Sequence, residues 1–201
     1  MDTKDSIVLT YENILNGKQK AFSPYFFHPS HRIKRITTLL QYLIEEKLGY
    51  SPEEALEKLT LQDVKKYKLT CLFKYIDKPV EFSKENVQHL VYYAYPDLPQ
   101  PSVKELALQV YADVLAGKRK TFPKNYFLNG ELGEERAIIC FKHLCEDILK
   151  LTPEEIIETF TRSSGLKVLS KYKLKIIMNV LFFSTVDLLE TAYPGLLNEH
   201  A

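Results

Sequence analysis

The chain contains an internal duplication, and this feature constrains its architecture more than any other. Residues 11–22 align with residues 111–122, and six of these twelve positions are identical. Four more blocks recur in the same order along the chain. They pair residues 25–26 with 126–127, residues 51–57 with 152–158, residues 66–69 with 171–174, and residues 94–96 with 192–194. Five ordered matches predict two related units, which we place at residues 1–98 and 99–201.

The junction between the two units is short and stiff. Residues 96–101 contain three prolines, and a proline-rich segment is a semi-rigid spacer, unlike a flexible Gly/Ser tether. The second copy begins almost directly after this segment. We therefore expect the two units to pack together.

Apolar residues recur at helical spacing in both units, over residues 33–48 and again over 137–149. Residues 51–54 and 152–155 each offer an N-cap hydroxyl, a proline at the first helical position and a glutamate three residues after the cap, which predicts a capping box. Strand signals are scarce. The sequence thus predicts an all-α protein with about five helices in each unit.

Glycines and serines mark the expected ends of other helices. Gly17 and Gly117 end the first helix of each unit as C-caps. A longer helix follows the capping-box helix, with apolar residues facing inward over 64–76 in unit 1 and 169–181 in unit 2. The last helix is predicted to begin at a cap formed by Ser83 or Ser184 and to stop before a Tyr-Pro pair, since the residue before proline disfavours the helical region.

Composition excludes several functional classes. The formal net charge is +1, with 14 basic and 13 acidic side chains in residues 1–100 and 13 of each in residues 101–201. A histone-like or tail-driven nucleic-acid binder is therefore excluded. The chain has only 7 glycines, which argues against glycine-rich phosphate loops. Any binding function must come from charge that is segregated within each unit.

The sequence also suggests a cellular compartment. The N-terminus lacks the basic and then apolar profile of a signal peptide, and three cysteines are few and odd in number. The uncharged stretch 176–186 is far shorter than the roughly 20 residues that a membrane helix needs. We expect a cytoplasmic protein that has no membrane partner.

The cysteines and histidines do not predict a catalytic or metal site. Cys140, His143 and Cys145 correspond in unit 1 to residues 39, 42 and 44, two of which are core-type leucine and isoleucine. The cysteines are therefore most simply buried apolar side chains. No nucleophile, Walker or zinc-protease motif occurs in the sequence. We expect a protein that is not an enzyme and needs no cofactor.

Two basic elements recur in both units. A Gly-Lys-x-Lys loop follows the first helix, and a Lys-Tyr-Lys triplet lies in the predicted longer helix. A short helix, a turn and a basic helix outline a helix-turn-helix, so this pattern predicts binding of double-stranded DNA. The residues expected to face phosphate are Lys65, Lys66, Lys68, Lys167, Lys171, Lys173 and Lys175, with flanking contacts from Lys18, Lys20, Lys118, Arg119 and Lys120.

The same residues allow other interpretations. Exposed lysines on helices are commonly just solvated. Lysines that follow a C-cap can also interact favourably with the negative, C-terminal end of the helix dipole. A helical adaptor that binds a protein partner, or a homo-oligomer, would carry the same pattern. The aromatic run 25–27 is interpreted as a hook into the core, with a stacking platform for bases as the alternative.

Taken together, the motifs resemble an uncharacterised tandem-repeat helical domain family of spore-forming bacilli and their phage-like elements. The resemblance covers both units, and because its motifs look structural, it transfers no catalytic residue. From the recurring basic elements, we expect a non-enzymatic bacterial DNA-binding or regulatory protein. The residues that carry the resemblance are Pro123, Tyr126, Phe127, Arg136, Glu146, Leu149, residues 152–155 and residues 192–194, with their first-unit partners.

Overall fold

The computed structural model describes residues 3–82 and 86–199. Within these ranges all regular elements are helical, and the chain divides into two compact units, unit 1 at Met1–Gln100 and unit 2 at Pro101–Ala201. The predicted all-α fold of two duplicated units is confirmed. Across the same ranges, no helix has the length and apolar character needed to cross a membrane.

Among the described residues, each α-helix of unit 1 has a counterpart in unit 2 in the same order, and unit 2 has two further short helices. The expected count of about five helices is met in the described part of unit 1 and exceeded in that of unit 2, which has seven. Unit 1 contains α1 (Lys4–Leu15), α2 (Pro29–Gln41), α3 (Pro52–Lys58), α4 (Leu61–Lys66) and α5 (Gln88–Ala94). Unit 2 contains α6 (Val103–Leu115), α7 (Gly130–His143), α8 (Pro153–Thr161), α9 (Ser164–Lys171), α10 (Lys175–Val180), α11 (Thr185–Ala192) and α12 (Leu196–Glu199).

The first helix of each unit ends at a glycine, as predicted. Gly17 and Gly117 both have φ of +74°, a left-handed conformation that glycine adopts without steric cost. The glycine N–H groups donate to the carbonyls of Ile14 and Val114, which closes the last turn of α1 and of α6. These turns carry the chain directly into the Gly-Lys-x-Lys loops.

The second helix of each unit continues into a π-helical turn. These turns span Tyr42–Lys47 and Leu144–Ile148. In unit 1 the Leu48 N–H donates to the carbonyl of Leu43, five residues earlier, at 3.0 Å. In unit 2 the Leu149 N–H donates to the carbonyl of Leu144 at 2.9 Å. The two units therefore share a rare local feature at the same point of the fold.

The predicted capping boxes are present in both units. The side chain of Ser51 accepts from the N–H of Glu54, whose carboxylate accepts from the N–H of Ser51. Thr152 and Glu155 make the same reciprocal pair at the start of α8. Each box satisfies two backbone donors that a helix start otherwise leaves unpaired.

The prediction of one longer basic helix after the capping-box helix is wrong in both units. α4 stops at Lys66, because Lys68 adopts a left-handed φ of +57°. In unit 2, Lys173 has a φ of +63° and separates α9 from α10. Lys167 and Lys171 share α9, whereas Lys175 starts the next helix, so these three do not form one continuous face.

An aromatic hook joins the first helix of each unit to the second. In unit 1, Phe26 and Phe27 are buried, and the Phe22 ring lies 4.6 Å from the Phe26 ring. Arg35 donates to the carbonyl of Phe26 and lies 4.8 Å from the centre of its ring. The rings of Phe26 and Phe27 belong to the core, as the hook interpretation predicts, while Tyr25 is 80% exposed.

The hook of unit 2 shows where the two copies differ in length. Arg136 donates to the carbonyl of Tyr126 at 3.1 Å and lies 4.5 Å from the centre of its ring. Tyr126 is therefore the structural equivalent of Phe26. The alignment of residues 25–26 with 126–127 is wrong by one residue, because the additional residue of unit 2 lies after the hook and before α7.

The units differ most in the segment that leads to α5 and α11. This segment is seven residues longer in unit 1, where it contains a 3₁₀ helix at Thr70–Lys74. In unit 2, Ser184 caps α11 as predicted, since its side chain accepts from the N–H of Asp187. The other predicted cap, Ser83, lies outside the described residues.

Candidate nucleic-acid interface

The two basic elements of each unit lie at the same end of that unit. The Tyr11 hydroxyl on α1 donates to the carbonyl of Tyr67 at 2.7 Å, and the Tyr111 hydroxyl on α6 donates to the carbonyl of Tyr172 at 3.0 Å. These bonds tie the Lys-Tyr-Lys turn to the helix that leads into the Gly-Lys-x-Lys loop. We call the loop and the turn together the basic edge of each unit.

Burial preserves the two tyrosine donors. Tyr11 and Tyr111 are fully buried, and this burial raises the pKa of both hydroxyls far above the ordinary value of tyrosine. Both hydroxyls therefore keep their proton and donate throughout the physiological range. The two tyrosines recur because they fix the turn, and they are not available to a ligand.

Lys68 has a structural role in the basic edge of unit 1. Its ammonium donates to the carbonyl of Ile14 at 2.9 Å and lies 3.5 Å from that of Leu15. These are carbonyls of the last turn of α1, where a cation is favourable. Lys68 therefore holds the turn against the helix end, in a role that the sequence pattern did not distinguish from phosphate contact.

The other lysines of the turns lie beside aromatic rings. The Lys66 ammonium is 5.2 Å from the centre of the Tyr67 ring, and the Lys171 ammonium is 5.3 Å from that of Tyr172. Such a cation–π contact at an exposed site is worth about 0.5–1 kcal/mol. It orients the charge without removing it from solvent. The predicted residues Lys167, Lys173 and Lys175 are also exposed.

The loop lysines are accessible charges of the basic edges. Each Gly-Lys-x-Lys loop has two lysines, and all four are exposed and form no hydrogen bond or ion pair within the described ranges. Arg119 differs, because its Nε lies 3.4 Å from a carboxylate oxygen of Asp113 on α6 and the pair is largely buried. The accessible loop lysines are Lys18, Lys20, Lys118 and Lys120.

An acidic group in the last turn of α1, Glu12, is already paired. Its carboxylate contacts the Lys47 ammonium at 2.5 Å and accepts from the Tyr42 hydroxyl at 2.8 Å. These partners lower the pKa of Glu12 below its usual value. Its negative charge is therefore largely compensated within the protein.

A cleft that the sequence did not reveal lies beside α4 of unit 1. Its volume is about 570 Å³, and Lys65 lies on its wall. Phe73 was predicted to face inward on a long helix, but the 3₁₀ turn leaves this residue 36% exposed. The lining residues are Leu61, Lys65, Thr70, Phe73, Ile76, Asp77 and Lys78.

A buried histidine stands behind this cleft. His89 is 5% exposed, and its ring centre lies 6.0 Å from that of Phe73 and 6.2 Å from that of Phe82. Neither ring nitrogen has a hydrogen-bond partner among the described residues. Burial, assisted by the charge of Lys78, lowers the pKa of His89 to about 4. The ring is thus neutral at physiological pH.

The cysteines have the buried environment expected from the duplication. Cys140 and Cys145 are fully buried, and burial raises the pKa of both thiols to about 12. A thiol in this state is a poor nucleophile. In the parts of the chain that the structure describes, no cluster of three or more histidine, cysteine or acidic side chains is arranged to hold a metal ion.

Comparison with known proteins identifies the repeat. A family model described as "Protein of unknown function (DUF4046)" matches residues 7–100 and again residues 107–198. No curated protein and no solved structure matches the chain. The predicted resemblance to a tandem-repeat family is confirmed: the chain belongs to the DUF4046 family and carries two copies of its domain.

Proposed function

We propose that this protein is a non-enzymatic, cytoplasmic regulatory protein of bacteria that binds the phosphate backbone of double-stranded DNA. The observation that supports this proposal is the recurrence of the basic edge in both units. In each unit, a buried tyrosine hydroxyl ties a loop with two exposed lysines to a second basic segment. Two such edges in one chain would contact more phosphates than either edge alone.

The lengths of the helices favour contact with phosphates over reading of base edges. α4 has six residues, which corresponds to about 9 Å. A recognition helix presents several side chains along the major groove, and α4 is too short for that. The exposed loop lysines lie outside the helices, where they can follow a phosphate backbone. They are Lys18, Lys20, Lys118 and Lys120. We therefore expect salt-sensitive binding with little sequence preference.

Fluorescence anisotropy with a labelled random duplex of 20 base pairs tests this proposal. The wild-type protein is expected to bind below about 100 µM at low salt, with an affinity that falls as salt rises. The double variants K18E/K20E and K118E/K120E each remove two phosphate contacts. Each variant should therefore reduce the slope of log affinity against log salt by about 2.

The control variant K4E/K104E has the same change in net charge. Lys4 and Lys104 are exposed in the first turns of α1 and α6, at the opposite ends of these helices from the loops. This variant should keep most of the affinity. Equal losses in the control and in the loop variants, or no salt-sensitive binding by the wild type, would contradict the proposal.

A second candidate function is supported by exposed apolar side chains in unit 2. Phe183 is fully exposed before α11, and Leu166 and Ile176 are each more than 40% exposed. Exposed apolar residues that form one contiguous patch are typical of a surface that binds a protein partner or a second copy of the chain. Light scattering after size exclusion tests the homo-oligomer. A dimer that Phe183→Ser converts to a monomer would support it, and a monomeric wild type would contradict it.

A further inference from the structure

The cleft of unit 1 has the size and the chemistry of a ligand site. Its volume of about 570 Å³ falls within the range of small-molecule pockets, which is roughly 300–1,000 Å³. Leu61, Phe73 and Ile76 supply an apolar wall, and the partly exposed Phe73 provides a flat face. Such a surface suits a planar group of similar size.

The polar residues of the cleft indicate the charge of the ligand. Lys65 is exposed and forms no hydrogen bond or ion pair in the described part of the chain. Lys78 lines the same cleft. The exposed Lys65 ammonium beside an apolar wall suits a planar ligand that carries an anionic group. Thr70 and Asp77 add one hydroxyl and one carboxylate, which can accept hydrogen bonds from the ligand.

The position of the cleft connects it to the basic edge of unit 1. Lys65 precedes Lys66 in α4, and the Lys-Tyr-Lys turn follows directly. A nucleic-acid strand that contacts the basic edge would therefore pass close to the cleft. An aromatic ring beside a line of lysines is the arrangement by which proteins stack unpaired bases.

We infer that this cleft binds one unpaired nucleotide, with its base stacked on Phe73 and its phosphate beside Lys65. The inference rests on the proposed function, because the strand reaches the cleft along the basic edge. The Asp77 carboxylate accepts from an exocyclic amine, so cytosine and adenine are favoured over thymine. A free nucleotide has the same chemistry as an unpaired nucleotide of a strand.

The duplication supplies matched substitutions for a test. Unit 2 has Ser170 at the position of Lys65 and Met178 at the position of Phe73. Phe73→Met and Lys65→Ser thus install side chains that already stand at these positions in a folded unit. Neither Lys65 nor Phe73 is fully buried, so both variants should keep the helical circular dichroism and the melting temperature of the wild type.

Anisotropy with a labelled 12-residue oligo(dC) measures the role of the cleft. Phe73→Met should weaken binding of this strand about tenfold, and Lys65→Ser several-fold. Binding of the 20-base-pair duplex should change less than twofold in Phe73→Met. Oligo(dT) should bind the wild type more weakly than oligo(dC). Competition with dCMP distinguishes a cleft that binds a free nucleotide, which dCMP would occupy, from a cleft that binds a nucleotide only as part of a strand.

The outcomes distinguish the inference from the proposed function. If the wild type binds duplex but Phe73→Met binds oligo(dC) as tightly as the wild type, the inference is overturned and the proposed function stands. If duplex binding is absent but oligo(dC) or dCMP binding depends on Phe73, the proposed function fails and the cleft remains a nucleotide site. Equal competition by a poly-glutamate peptide would assign the cleft to acidic peptides and overturn the inference.

Discussion

The two units share the contacts that fix their helices and differ in the surface between α4 and α5 and its counterpart. Both have a tyrosine bond to the Lys-Tyr-Lys turn, a capping box and a π-helical turn. Unit 1 adds a longer segment, an open cleft and a buried histidine without a hydrogen-bond partner among the described residues. Unit 2 is shorter there, and Asp187 caps the backbone in place of His89.

This comparison separates architecture from specialisation. A residue that recurs with the same contacts, such as Tyr11 and Tyr111, serves the common fold. A residue that differs where the two units diverge, such as Phe73 at the position that Met178 takes in unit 2, is free to serve a ligand. The duplication therefore acts as an internal control when functional residues are chosen.

The largest expected effect concerns the cores. Phe160 is fully buried, and its ring lies edge-on at 4.8 Å from that of Phe141, where unit 1 has Leu59 and Leu40. Phe160→Ala should cost unit 2 about 3–5 kcal/mol, and Leu59→Ala should cost unit 1 about 2 kcal/mol. Hydrogen exchange on peptides of each unit measures both free energies, and equal costs would contradict an aromatic reinforcement that is specific to unit 2.

The next effect depends on pH and distinguishes unit 1. The folded His89 has a pKa of about 4, whereas an unfolded histidine has a pKa of about 6.5. As the pH falls below 6.5, the unfolded state gains a proton that the folded state does not bind, so stability is lost. Between pH 7.5 and pH 5 this loss is about 2 kcal/mol.

The variant His89→Leu should lose less stability over the same pH range. Urea unfolding at the two pH values measures the difference between this variant and the wild type. Leucine also removes two buried nitrogens that have no hydrogen-bond partner in the described structure, so the variant should be slightly more stable at neutral pH. The same loss in both proteins would show that another group carries the pH dependence.

A smaller effect tests the bond that both units share. Tyr11→Phe and Tyr111→Phe each leave a carbonyl of the turn without its donor, at a cost of about 1–2 kcal/mol. Similar costs are expected, because the two bonds are 2.7 and 3.0 Å long and both rings are fully buried. Urea unfolding of the two variants gives the costs. A null effect in one unit would mean that its turn is fixed by other contacts.

The smallest effect separates Lys68 and Lys173, the lysines of the Lys-Tyr-Lys turns that have a positive φ. Lys173→Gly should stabilise unit 2 by up to about 1 kcal/mol, because glycine relieves the positive φ. Lys68→Gly gains the same relief but loses the bond from its ammonium to Ile14, so little net change is expected. Thermal unfolding followed by circular dichroism compares the two. A larger gain for Lys68→Gly would contradict the structural role of its ammonium.

The parts of the fold that depend on local signals are predictable from the sequence. The capping boxes at Ser51 and Thr152 and the glycine ends of α1 and α6 need only neighbouring residues. The turn at Lys68 is not predictable in this way, because apolar residues keep helical spacing across it and a lysine gives no sign of a positive φ. The cleft cannot be predicted from the sequence for the same reason. It exists because the turn at Lys68 and the 3₁₀ helix after it leave Phe73 partly exposed.

The π-helical turns also bear on how the chain evolved. Far fewer than 1% of residues in globular proteins lie in π-helices, yet both units have one at the end of the second helix. A single origin of the π-helical turn before the duplication explains both copies more simply than two independent origins at equivalent positions. The ancestral single unit therefore already had this widened turn before its gene was doubled, and the fold of the repeat is older than the two-unit protein.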